Sequence, residues 1–157
     1  ILEFSGAHAC FSNFHPAKFT WEGIEWPTSE NAYQAAKFPR ERWDEFALMT
    51  PGQSKREGQK PGMRQDWNDV KVTFMLQIVR EKFKQNPGLL LQLRQTGTRH
   101  LEEGNTWGDR FWGVSPPGSG NGQNFLGKVL MNIRKEFFPE LDSTKSQVII
   151  NYDFAPK

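Results

Sequence analysis

The chain has 157 residues, 24% of them charged and 36% hydrophobic, with a net charge of +2. This length suits one domain with its own core, and the balance excludes a disordered chain, a membrane span and a strongly basic nucleic-acid platform, while permitting an anionic ligand. One cysteine, Cys10, excludes an internal disulfide, and the three histidines (His8, His15, His100) lack metal-ligand spacing, so neither a metal nor a cofactor is expected.

In chain order, residues 1–4 alternate as a short strand does, and residues 5–8 read as a turn. Phe11-Ser12-Asn13-Phe14 is an aromatic–small–amide–aromatic cluster in a loop closed by Pro16. Residues 18–21 and 24–26 flank Glu22-Gly23, which predicts a hairpin with a tight turn. The second strand feeds a helix. Thr28 or Ser29 caps its first turn, and Phe38, lying before Pro39, ends it. At about 100° per residue, Glu30, Tyr33, Gln34 and Lys37 share one stripe and Ala32, Ala35 and Ala36 the other side. A small-residue back allows close packing. A stripe carrying a carboxylate, a phenol, an amide and an amine can line a cleft, although such a helix is more often a solvated surface helix.

A second short helix is expected over residues 40–49, with Trp43, Phe46 and Ala47 on one side, and a third piece starts at Thr50-Pro51. Residues 55–64 are basic and broken by glycine, and read as a solvated loop. Asp66 is placed to cap a long core helix over residues 67–85, with two apolar stripes. Asn86-Pro87 opens a leucine-rich helix that ends at Gly97. Residues 99–103 suit a short strand. Residues 105–123 form a long connection holding Trp107, Gly108, Asp109 and Trp112; connections of this length in compact domains are usually functional or disordered, and the aromatic rings argue against disorder. It feeds a helix to about residue 138, with Leu126, Leu130 and Ile133 inward, and a glycine-rich approach of this kind can hold phosphate through backbone N–H groups. Residues 147–154 read as a strand. The fold class that follows is α+β: a single helix-rich domain over residues 1–157 with a small antiparallel sheet.

Four motifs in this order carry a resemblance: Phe11-Ser12-Asn13-Phe14; Trp26-Pro27-Thr28-Ser29-Glu30 running into Tyr33-Gln34-Ala35-Ala36-Lys37-Phe38; Trp107-Gly108-Asp109; and Asn124-Phe125-Leu126-Gly127 with Met131 and Arg134. Together they resemble the NADAR family, the YbiA-like N-glycosidases, over residues 11–138. The resemblance implies hydrolysis of the bond between ribose C1 and an amine nitrogen. Its substrate would be ADP-ribose on the guanine amino group of DNA, RNA or guanosine, or a ribosylamino-pyrimidine intermediate of riboflavin synthesis. It implies Glu30 as catalytic carboxylate, Lys37 as motif lysine and Asp109 as a further catalytic group. Substrate contacts would come from Phe11, Ser12, Asn13, Trp26, Thr28, Tyr33, Gln34, Trp107, Gly108, Trp112, Asn124 and Gly127. The sequence departs from close members at Asn31, where they tend to have His.

Two mechanisms are compatible with these residues. Lys37 can form a Schiff base with C1 of the opened sugar while Glu30 moves protons. Alternatively Glu30 or Asp109 activates water against a closed ring. Phe11, Trp107 and Trp112 are expected to stack on base or ribose, and Phe14, Trp43 and Trp67 to serve the core. Ser12, Asn13 and the backbone of residues 120–127 are expected to meet phosphates. The competing classes are a non-catalytic reader of ADP-ribose and a nucleic-acid module using its tryptophans and basic loop. No signal-peptide pattern opens the chain, so an intracellular, cytoplasmic setting is expected.

Overall fold

The computed structural model describes residues 1–142, which divide into two compact units. The strand expected over residues 147–154 lies outside the described residues.

One unit is continuous, from Asn13 to Pro87. It opens with an antiparallel hairpin, β1 (Phe19–Trp21) and β2 (Ile24–Trp26), in which Phe19 faces Trp26 and Trp21 faces Ile24. Both turn residues have positive φ, Glu22 at 55° and Gly23 at 75°, the pair of left-handed residues a two-residue hairpin turn requires. Helix α1 (Ser29–Ala36) follows at once. Thr28 caps it, its extended backbone letting Oγ1 accept from Asn31 N at 3.2 Å. The expected alternative of a solvated surface helix is overturned, since every side chain of α1 is buried, and Ala32, Ala35 and Ala36 are fully so. Those three small residues let α1 pack against three neighbours: α2 (Trp43–Ala47), α3 (Pro51–Glu57) and α4 (Trp67–Lys84). Around it the aromatic rings form one cluster. Trp21 stacks on Trp43 at 5.1 Å, Trp67 on Phe74 at 6.0 Å, and Tyr33 packs on Trp67 at 5.2 Å.

Three boundaries differ from the sequence reading. The helix expected over residues 40–49 splits into a 3-10 turn, Arg40–Arg42, and α2. Residues 55–57 belong to α3 and are not a loop, because a capping box between Thr50 and Gln53 starts α3 firmly and carries it to Glu57. Asp66 does not cap α4, because its carboxylate is taken by the Arg64 guanidinium at 2.6 and 3.0 Å.

The other unit is built from both ends of the described chain, Ile1–Ser12 and the segment from Gly88 onward. Residues 1–4 and 99–103 are not strands. Ile1 N bonds His100 O and Glu102 N bonds Ile1 O, but two bonds do not extend into a ladder. A 3-10 helix, Gly6–Phe11, occupies the turn expected at residues 5–8. Helices α5 (Pro87–Gln95) and α6 (Phe125–Phe137) keep their expected places, with Leu126, Leu130 and Ile133 buried. Arg134 ties this unit together: Nη1 donates to Thr96 Oγ1 at 2.8 Å and to Arg99 O at 2.9 Å.

Candidate active site

Glu30 sits in the first turn of α1 and is buried. Asn13 holds that turn by two bonds. The Glu30 N–H donates to Asn13 O at 3.0 Å, and Ser29 Oγ donates to Asn13 Oδ1 at 2.8 Å. One turn on, Gln34 Nε2 donates to Glu30 Oε2 at 2.7 Å. Because a carboxylate only accepts, this bond fixes which end of the amide is which, and leaves Gln34 Oε1 buried with no hydrogen-bond partner among the described residues. Buried acceptors left open cost about 1–3 kcal/mol and are uncommon. Here the open acceptor lies beside a buried carboxylate.

Lys37 closes α1 as its C-cap and is half-buried. Its Nζ lies over the Tyr33 ring at 5.6 Å and 3.4 Å from Gly58 O. Burial pushes this amine below the ordinary lysine value; the Glu30 charge opposes that, and the charges of Lys71 and Lys55 add to it. Gly58 was not singled out by the sequence, yet it touches both groups. Its carbonyl faces Lys37, and a Cβ at this position would run into Gln34 Oε1. The signal that could have found it is the Thr50–Gln53 capping box, which makes Gly58 the C-cap of a helix rather than a loop glycine.

Of the predicted contacts in this unit, Glu30, Tyr33, Gln34, Lys37 and Asn13 come together. Asn13 serves through the protein and not as an open phosphate donor, since its amide is used by Ser29 and Met75 Sδ (3.5 Å). Trp26 is fully buried with Nε1 on Trp21 O, and Thr28 is buried as a helix cap; both side chains are bonded within the protein. Trp43 and Trp67 are core as expected, but Phe14 is 41% exposed and corrects the core reading. Asn31, the departure from close family members, is fully buried and donates to Phe46 O, Met49 O and Ser54 Oγ. That departure therefore concerns packing between helices.

In the other unit, Phe11 is 2% exposed, edge-on to Phe4 at 5.7 Å, so the stacking role expected of it is displaced by a core role. Ser12 is half-buried just after the 3-10 helix. The long connection is ordered by its own side chains. Asp109 Oδ1 accepts from Phe111 N at 3.1 Å and Trp112 N at 2.9 Å, and Asn105 holds Asp109 N and O at 2.9 and 2.8 Å. The carboxylate read as catalytic thus ties a loop. Gly108, at φ 87°, donates to Ser115 Oγ. Trp107 is 63% exposed, whereas Trp112 is half-buried against Phe111 and Phe125. Asn124 adopts the left-handed conformation and spans Leu101 O and Glu103 N, while Gly127 lies so close to Leu101 O that a Cβ would collide. The phosphate role expected of this backbone is corrected for residues 123–126, whose N–H groups are taken by the carbonyls of residues 110–113. Among the described residues no three His, Cys, Asp or Glu side chains gather as metal ligands, and no helix is long and apolar enough to cross a membrane.

Comparison with known proteins covers nearly the whole described chain. Residues 3–138 match the NADAR domain family. The chain is 36% identical over 131 residues to the N-glycosidase YbiA of Escherichia coli, covering 80% of this chain and 79% of that one. It is 42% identical over 134 residues to the riboflavin biosynthesis protein VVA0006 of Vibrio vulnificus, covering 82% of this chain but only 35% of that protein's length. The NMR structure of E. coli YbiA superposes with a TM-score of 0.78 at 30% identity, over 94% of this chain and 88% of that one.

Proposed function

The chain belongs to the NADAR family, and from that premise we propose that it is an N-glycosidase that removes ADP-ribose from the guanine amino group through a Schiff base on Lys37. The observation that carries the reading is a half-buried amine, pushed toward its neutral form, two turns along the same helix face from a buried carboxylate. A neutral lysine is the form that attacks carbon.

The steps follow from that pair. The lone pair of the glycosidic nitrogen opens the sugar by expelling the ring oxygen, and the Glu30 carboxylate takes the N–H proton this releases and passes it to that oxygen. Lys37 Nζ then adds to C1 of the imine, and the guanine amine leaves carrying the two Nζ protons. Water adds to the resulting Schiff base with Glu30 as base, releasing the sugar and the free amine. Gln34 has two tasks in this scheme: its Nε2 orients Glu30, and its open Oε1 accepts a substrate hydroxyl. Asp109 orders its loop, which leaves Glu30 as the carboxylate for proton transfer.

A second substrate reading draws on the name of the Vibrio relative: a ribosylamino-pyrimidine presents the same C1–N bond to the same two groups. Incubation with ADP-ribosylated guanosine and with ribosylamino-pyrimidines, followed by mass spectrometry, separates them. The first reading expects guanosine and free ADP-ribose, both lost in E30Q and K37A. Cleavage confined to the pyrimidines reassigns the substrate, and no cleavage of any of them favours a binding module.

A further inference from the structure

Helix α3 carries a second stripe that the reaction does not use. Ser54 and Gly58 face α1, where Ser54 accepts from Asn31 and Gly58 lies beside Gln34. On the outward stripe, at i, i+3 and i+4, stand Gly52, Lys55 and Arg56, and Gln59 follows just past the helix's C-cap. These four and Phe14 line a hollow of about 430 Å³. Lys55 Nζ lies over the Phe14 ring at 5.8 Å, and Arg56 Nη1 folds back toward Gly52. The acid of the same helix, Glu57, is turned away to Arg42 at 3.0 Å and Lys60 at 2.9 Å, and among the described residues Arg56 forms no ion pair. Two cations and an amide thus converge on a hollow floored by one exposed aromatic face, with no carboxylate lining it.

The hollow is joined to the reacting pair by the chain itself. Phe14 follows Asn13, whose carbonyl holds the Glu30 turn, and Lys55 is close enough for its charge to act on Lys37.

We propose that the Phe14–Lys55–Arg56–Gln59 hollow is an anion subsite that takes a phosphate or diphosphate of the N-ribosyl substrate, with a flat ring or sugar of that substrate against Phe14. Guanidinium and ammonium groups give charge-assisted hydrogen bonds to phosphate, and an aromatic face beside them accepts a nucleoside ring. This deepens the N-glycosidase reading by naming a charged substrate, and rests on it for the identity of the ribosyl group.

The test has two arms. Sodium pyrophosphate is titrated into the ¹⁵N-labelled protein and into K55Q/R56Q, whose melting curve confirms folding. The proposal expects saturable shifts centred on Gly52, Lys55, Arg56 and Gln59, and binding weakened about tenfold or more in the variant. Saturation centred elsewhere, equal affinity in the variant, or shifts that never saturate overturn it. The second arm compares kcat/KM for ADP-ribosylated guanosine and for ribosylated guanosine lacking phosphate. Wild type should prefer the phosphorylated substrate and K55Q/R56Q should lose most of that preference; an unchanged preference overturns the proposal. Failure of both compounds to turn over removes the guanine hydrolase reading alone, since the titration still decides the anion subsite.

Discussion

Lys37 is the residue whose environment departs most usefully from that of a surface lysine. Burial lowers its pKa, so the neutral amine is reached at lower pH than for a solvated lysine, and a rate that needs this form rises with pH through the lowered value. Lys55 is one of the charges pressing it down. Replacing Lys55 by Gln removes that repulsion, so the ascending limb of the kcat/KM profile should move to higher pH; a limb that stays in place, or moves lower, contradicts the assignment. Gly58 gives a second residue-level test. Its φ of −66° suits alanine, so G58A should cost only the overpacking against Gln34, about 1–3 kcal/mol of stability. The added methyl would, however, drive the Gln34 amide off Glu30, and kcat/KM should fall about 100-fold, as misplacement by an ångström can do. Parallel loss of folding and activity would mark Gly58 as structural only.

At the level of elements, α1 and the hairpin were readable because their signals are local: a threonine cap, a proline stop and a two-residue turn. The extent of α1's burial was not readable from its stripe. Polar residues at i, i+3, i+4 and i+7 look solvated until α2, α3 and α4 close over them, and Asn31 is what holds two of those helices. N31A leaves buried acceptors on Phe46, Met49 and Ser54 without their donor, and should lower the unfolding free energy by about 2–3 kcal/mol in a denaturant titration. Asp109 illustrates the opposite limit. A Trp-Gly-Asp loop suggests a catalytic acid, but its oxygen caps two N–H groups of its own loop, a task an amide oxygen can share. D109N should therefore keep activity within about tenfold of wild type, whereas D109A should lose it with the loop's order. An inactive, fully folded D109N would restore Asp109 to the chemistry.

On the scale of the whole molecule, the family and the fold class were legible from four motifs, while the division into units was not. One unit joins Ile1–Ser12 to residues 70 or more positions away, and no local pattern marks such a return. The four tryptophans Trp21, Trp26, Trp43 and Trp67 are core, leaving Trp107 and Trp112 in the long connection, a split that depends on packing rather than on spacing. The net charge of +2 also bears on substrate handling. A net charge this small supplies little excess cation for a phosphate backbone, so log kcat/KM on ADP-ribosylated DNA should fall against log salt with a slope of only about −1 to −2, the contribution of one or two phosphate contacts. A slope several times steeper would indicate an extended nucleic-acid interface. The covalent role of Lys37 is the centre of the account, and borohydride trapping tests it most directly. With ADP-ribosylated guanosine present, reduction should leave a stable ribosyl adduct on Lys37 that is absent from K37A. No adduct, together with full activity in K37A, would contradict it.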